Sequence, residues 1–176
     1  MAGHSLYLFP DDPSHAPDPG ALQDLLAESG LTNPRPLPDG RLSAGPEFLA
    51  CITFLGCAPQ VSLTEADAAE GQPVCRIRLH YHDTPVLLVA NPPPAVRCPA
   101  CRARVTCPPG AGPDTLVACE ACARESMASS LDWRHGAGAG RCFIEIEHVF
   151  PHEAVPADSL LKALATLGTG WRYFYD

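Results

Sequence analysis

The hydrophobic positions change period several times along the chain, and each change marks an element. "SLYLF", Ser5 to Phe9, is a short apolar run stopped by Pro10 and predicts a strand. "DPGALQDLLAESG" predicts a helix. Asp18 suits its N-cap, Pro19 its first position, and Gly30 its end, while Leu22, Leu25 and Leu26 make one apolar face. Phe48 to Leu55 is rich in aromatic and β-branched residues and predicts a buried strand. A core helix competes, because an unbroken apolar run carries no period. "TEADAAEGQP" reads as an exposed acidic turn or short helix.

From Cys75 the period is two: Cys75, Ile77, Leu79 and Tyr81 alternate with Arg76, Arg78, His80 and His82. "VCRIRLHYHDTPVLLVA" therefore predicts two strands around a turn at His82 to Pro85. "NPPPAV" is a stiff lead into a cysteine-rich segment, and "SSLDWRHGAGAGR" beyond it reads as a glycine-rich loop or hinge. "CFIEIEHVF" predicts another strand. Leu160, Leu161, Leu164 and Leu167 then recur at helical spacing before Gly168, with Pro156 or Asp158 opening the helix. "WRYFYD" predicts a last strand with Trp171, Tyr173 and Tyr175 on one face. No internal repeat is visible. The sum is an α+β fold: a mostly antiparallel sheet, two helices and an inserted four-cysteine module. Residues 1–94 and 142–176 form the core domain, and 95–141 the insert with its glycine-rich return.

Composition narrows the class. Hydrophobic residues make up 46% of the 176 and charged residues 18%, enough for one real core. Lys162 is the only lysine among 12 basic residues, the arginine bias of a GC-rich, bacterial genome. Net charge is −8, which repels phosphate backbones and argues against nucleic acid as a partner. The segment from Arg97 to Arg141 is the exception, with six arginines against four acids. No secretory signal opens the chain and no apolar run reaches membrane length, so a cytoplasmic setting without a membrane partner is expected. Thiols stay reduced there, and nine cysteines point to metal before disulfides.

Cys98, Cys101, Cys119 and Cys122 read C-x2-C-x17-C-x2-C. Two tight turns of this kind bring four thiolates to the corners of one tetrahedron, the pattern of a structural zinc site. The segment resembles a zinc ribbon, on "CPAC", "CEAC" and the flanking "RARV" and "TLVA". That resemblance implies a structural zinc and a docking module. It departs from the family where Arg102 and Ala123, not glycine, follow the cysteine pairs. Two alternatives stand beside it. Cys107 could replace one ligand, and "CPAC" is similar to the Cys-Pro-x-Cys of dithiol oxidoreductases, although a strand pattern rather than a helix follows it.

Four thiolates leave the metal no open position, so chemistry there is not expected. A second metal site, with catalytic potential, is conceivable from His80 and His82 with His148 and His152, helped by Glu145, Glu147 and Glu153. Solvated strand faces are the plainer account of these residues. Cys51, Cys57, Cys75 and Cys142 read as small core hydrophobes, with Cys57 conceivable as a nucleophile. "GAGAG" is no phosphate loop, since a strand follows it. The functional expectation is a small zinc-binding protein, not clearly an enzyme, whose ribbon meets a protein partner, with "PPGAGPD" at Pro108 to Asp114 as a contact loop. The alternatives are a metal-dependent enzyme using the His/Glu faces, and nucleic-acid binding through Arg97, Arg102, Arg104 and Arg124.

Overall fold

A computed structural model describes residues 3–56 and 58–176. Its elements in chain order are β1 (Ser5–Pro10), α1 (Pro19–Glu28), β2 (Leu42–Ser43), α2 (Phe48–Cys51), β3 (Ile52–Phe54) and β4 (Arg76–Val89). The cysteine segment adds β5 (Val96–Arg97), β6 (Arg104–Val105), β7 (Leu116–Ala118) and β8 (Glu125–Met127). The chain closes with β9 (Ala137–Glu147), β10 (Ala154–Pro156), α3 (Asp158–Ala165) and β11 (Trp171–Tyr175). The main sheet is antiparallel throughout, in the order β11-β1-β9-β4-β2. Cys57 lies outside the described residues.

The two long helices form where their caps and apolar spacing say they should. The Asp18 carboxylate accepts the N–H of Ala21 at 3.0 Å, Pro19 starts α1, and Leu22 and Leu26 are buried one turn apart. Gly30 ends it in the left-handed region at φ 75°, with Glu47 packed where a side chain would stand. In α3, Asp158 is the first helical residue, and Leu160 and Leu164 are buried. Both helices cover one face of the sheet, onto which Leu6, Leu8, Ile77, Ile144, Ile146 and Trp171 project. No helix among the described residues is long and apolar enough to cross a membrane.

Three expectations fail for physical reasons. Phe48 to Leu55 is not one strand. The N–H groups of Ala50 and Cys51 turn back onto the Glu47 carbonyl, each at 2.9 Å, a closure within the chain that an extended strand does not make. A helical turn therefore precedes the short β3, and the described residues hold three α-helices. His82 to Pro85 is not a hairpin turn. It is a bulge of four residues facing Arg141 inside one 14-residue strand, held by the Arg141 Nε–H on the His82 carbonyl at 3.2 Å. Pro85, with no N–H to give, is tolerated there.

The third failure is the glycine-rich return. Residues 137–141 are the first half of β9, paired to β4 through Val86↔Gly140 and Leu88↔Gly138. Gly138 is needed for packing rather than motion. A Cβ there would lie 2.7 Å from Phe9 and 2.8 Å from Phe174. Those rings join Phe143 in a second small core, on the sheet face away from the helices.

That face also carries a polar network. The Glu145 carboxylate accepts from Ser5 Oγ and Tyr7 Oη, each at 2.9 Å, and from His80 Nε2 at 2.7 Å. Burial alone would push the Glu145 carboxyl up, but the hydrogen bonds from His80, Tyr7 and Ser5 together hold it below its ordinary 4.5. A depressed folded pKa adds stability that is present above pH 4.5 and is lost as pH falls through the lower folded value. Glu145→Gln should therefore lower stability at neutral pH by about 1–3 kcal/mol and flatten the acid limb. Urea midpoints from pH 7 to pH 3 measure both. An acid limb as steep as wild type would remove Glu145 from the account.

Candidate metal centre

The cysteine segment folds as two hairpins of the same design. In the first, β5 and β6 pair Val96↔Val105 and Arg97↔Arg104, with Cys98 to Ala103 as the turn. In the second, β7 and β8 pair Ala118↔Glu125, with Cys119 to Arg124 as the turn. The hydrogen bonds match one for one. Arg102 N–H donates to the Cys98 carbonyl at 3.0 Å, and Ala123 N–H to that of Cys119 at 2.7 Å. Cys98 N–H donates to Ala103, and Cys119 N–H to Arg124, each at 2.9 Å. The segment thus contains a short internal repeat, contrary to the expectation of none: "VRCPACRA" and "VACEACAR" align cysteine on cysteine.

Arg102 and Ala123 occupy the position where the ribbon family places glycine, and both take the left-handed backbone, at φ 66° and 60°. The departure in sequence leaves the turn geometry intact and adds strain, because a Cβ crowds the carbonyl in that region. Ala123→Gly should relieve it and raise stability by about 1 kcal/mol. A rise in thermal midpoint checks this. A fall would mean that Ala123 is unstrained.

The two turns bring four sulfurs together. Cys98 and Cys122 lie 3.8 Å apart at Sγ, Cys101 and Cys119 lie 3.6 Å apart, and all four ligand atoms fall within 4.8 Å of one another. Disulfides would need about 2.05 Å. A tetrahedron of sulfurs about 2.3 Å from a central ion has edges of about 3.8 Å, so the group fits a bound metal ion. Backbone N–H groups of Cys101 and Ala100 pull the Cys98 thiol down to about 7. The Ala103 N–H acts the same way on Cys101, but the neighbouring thiols, Cys119 first, together with partial desolvation outweigh it and raise that thiol to about 11. A metal ion takes these groups as thiolates, so its binding releases the protons that the thiols still hold.

Beneath the sulfurs, Val96, Val117, Ala128, Leu131 and Trp133 form a small core, with Leu87 and Ala137 of the main sheet against it. Trp133 Nε1–H donates to the Ala128 carbonyl at 2.8 Å. Arg97 and Asp132 exchange both backbone hydrogen bonds at 3.0 Å, which ties the first hairpin to the returning chain. Cys107 packs against this core, away from the sulfur cluster, so it replaces no ligand. No helix follows "CPAC", so the dithiol-oxidoreductase arrangement is absent at these residues.

The histidines separate. Among the described residues the four cysteines are the one group of three or more such side chains whose ligand atoms converge. β4 and β9 are indeed neighbours, and His80 meets Glu145. But His80 stands opposite Phe143, five residues before His148, which is roughly 17 Å of extended strand. His82 sits in the bulge with its ring edge-on to Phe143, and the His152 ring lies 4.7 Å from that of Tyr175. His80, His82, His148 and His152 therefore form no joint site. Cys51, Cys75 and Cys142 are buried, and burial raises the thiols of Cys75 and Cys142 to about 12 and 11, which keeps them inert. Comparison with protein-family models, with curated proteins and with solved structures finds no match to this chain.

Proposed function

We propose that this chain is a zinc-binding protein whose ribbon is a closed structural site and a docking surface for a protein partner. The observation that carries the reading is the four-sulfur cluster, with edges of 3.6 and 3.8 Å. Zinc is the ion that accepts four thiolates at those distances without a geometric preference of its own. A four-thiolate shell leaves no position for water or substrate, so its role is to hold the hairpins.

Support for docking comes from the hairpin farther along the chain. Leu116 and Met127 face each other across β7 and β8, and both are exposed, at 63% and 45%. An exposed apolar pair on a clamped hairpin is a surface that a partner would cover. It also moves the expected contact from the Pro108–Asp114 loop to the hairpin beside it.

Metal analysis of the purified chain should count one zinc, held through a mild chelator wash. A second, easily lost metal would overturn the structural reading. For docking, a pull-down with Leu116→Asp/Met127→Asp should lose the partner that wild type retains, while zinc stays at one per chain. Full retention by that variant, with loss on deleting 108–114, would return the contact to the loop.

A further inference from the structure

A cleft between the base of the ribbon and the C-terminal strand has the make-up of a small-molecule site. It is an open cleft of about 360 Å³ and lies between the turn Asp132–Gly136, β11 and Leu161 of α3. That volume is at the lower end of small-ligand sites, roughly 300–1,000 Å³. Trp133, Trp171, Tyr173, Phe9 and Leu131 supply apolar and aromatic lining, and Arg134, His135 and Arg172 supply cationic and polar groups.

The charges are arranged unequally. Arg172 is paired with Asp11 at 2.9 Å. Arg134 is exposed and has no carboxylate within 4.0 Å among the described residues. The single carboxylate of the lining, Asp132, already accepts the Arg134 backbone N–H at 3.1 Å and lies 3.8 Å from the Arg102 guanidinium. The turn that carries Arg134 is tied to β11. Arg134 and His135 are consecutive non-glycine residues in the left-handed region, at φ 52° and 61°. They are held there by Tyr175 N–H on the His135 carbonyl at 2.9 Å, by Gly136 N–H on that of Trp133 at 2.9 Å, and by the His135 ring stacked 4.8 Å from Tyr173. Strain of this kind persists only where the surroundings enforce it, and it concentrates at binding sites.

We infer that this cleft binds a small aromatic carboxylate. The ring lies against the indole and phenol walls, and the carboxylate takes the free guanidinium of Arg134 as a two-pronged partner. A phosphate is the poorer fit, because one unpaired cation faces it and the chain's net charge is −8. The inference goes beyond the zinc reading and does not rest on catalysis or on a docked protein.

The chain has two tryptophans, and both line the cleft, so their indole N–H signals in a nitrogen-15 correlation spectrum report on it directly. The full zinc-loaded chain is titrated with 2-naphthoate, with its neutral isostere 2-naphthamide, and with 2-naphthyl phosphate. Both indole signals should shift saturably with naphthoate, and the amide should bind roughly tenfold more weakly or worse. Arg134→Asn removes the charge with a residue that tolerates the left-handed turn, and should cost the same factor. Arg104→Ala, outside the cleft, should leave binding unchanged. Zinc content and the ligand-free spectrum of each variant show that the ribbon is still in place, which separates a failed cleft from a failed ribbon. Should Arg134→Asn disturb the free spectrum, Arg134→Lys, which keeps the charge but loses the two-pronged geometry, provides the second test and should also weaken naphthoate. No saturable shift, equal affinity for the amide, unchanged binding in the Arg134 variants, or tighter binding of the phosphate would overturn the assignment.

Discussion

Removing the metal should unfold the ribbon while the α+β core stays folded. Five buried side chains, Val96, Val117, Ala128, Leu131 and Trp133, are too few to hold two hairpins whose strands are only two or three residues long. Binding of structural zinc contributes apparent free energies of about 10–16 kcal/mol at neutral pH, and in a segment this small that is the folding free energy. A strong chelator should therefore abolish hydrogen-exchange protection at Cys98, Arg102, Cys119 and Ala123, whose N–H groups hold the two turns. Protection in β1 and in residues 142–147 should persist. Cys119→Ser leaves three ligands and should weaken zinc by more than the roughly 100-fold of a change outside the ligand shell. Unchanged zinc affinity in that variant, or turns that stay protected after chelation, would rule out the four-thiolate clamp. The effect has a boundary. Trp133 bridges the ribbon to Leu87 and Ala137, so the core should also lose some of its thermal midpoint.

The cysteine cluster was legible because its chemistry is written in spacing. C-x2-C-x17-C-x2-C states which four thiols can meet, and the fold brings those four together. The turn conformation was hidden, because Arg102 and Ala123 adopt a backbone that their side chains disfavour. Comparing "VRCPACRA" with "VACEACAR" would have revealed that both turns are built alike. The histidine site failed on a different point. Period two assigns a side chain to a face of a strand but says nothing of where along the neighbour it stands. Register put His80 beside Glu145 and left His148 about five residues away. The exposed pair of Leu116 and Met127 was equally invisible, since exposure of an apolar residue follows from what the fold leaves uncovered.

In the core, apolar spacing and caps located α1 and α3, and the strands β1 and β11. Composition misled at "GAGAG", where a glycine count was read as freedom of motion. The physical alternative, close approach of other side chains, leaves the same letters. Only the pairing partner tells the two apart, and here Gly138 faces Leu88 across the ladder with two phenylalanine rings against it.

That distinction has a large and signed consequence. At a flexible hinge, replacing glycine by a larger residue narrows the unfolded ensemble and is neutral or stabilising by about 0.4–1 kcal/mol. At Gly138 the sign should reverse. A Cβ would stand 2.7 Å from the Phe9 ring and 2.8 Å from that of Phe174, which are 3% and 1% exposed. Neither ring can swing away cheaply, because Phe174 packs edge to face on both Phe9 and Phe143. Gly138→Ala should cost about 2 kcal/mol, and Gly138→Val, with two more carbons in the same space, about 3 kcal/mol or more. For a chain of this length the valine variant should melt roughly 6–12 °C lower. Gly112 is the internal control, since an added Cβ there meets nothing closer than the Thr115 hydroxyl at 3.9 Å. Gly112→Ala should leave the melting temperature within about 2 °C. Equal midpoints for the Gly138 and Gly112 variants would restore the hinge. The expected ordering requires that the first half of β9 is strand because its glycine admits the aromatic core.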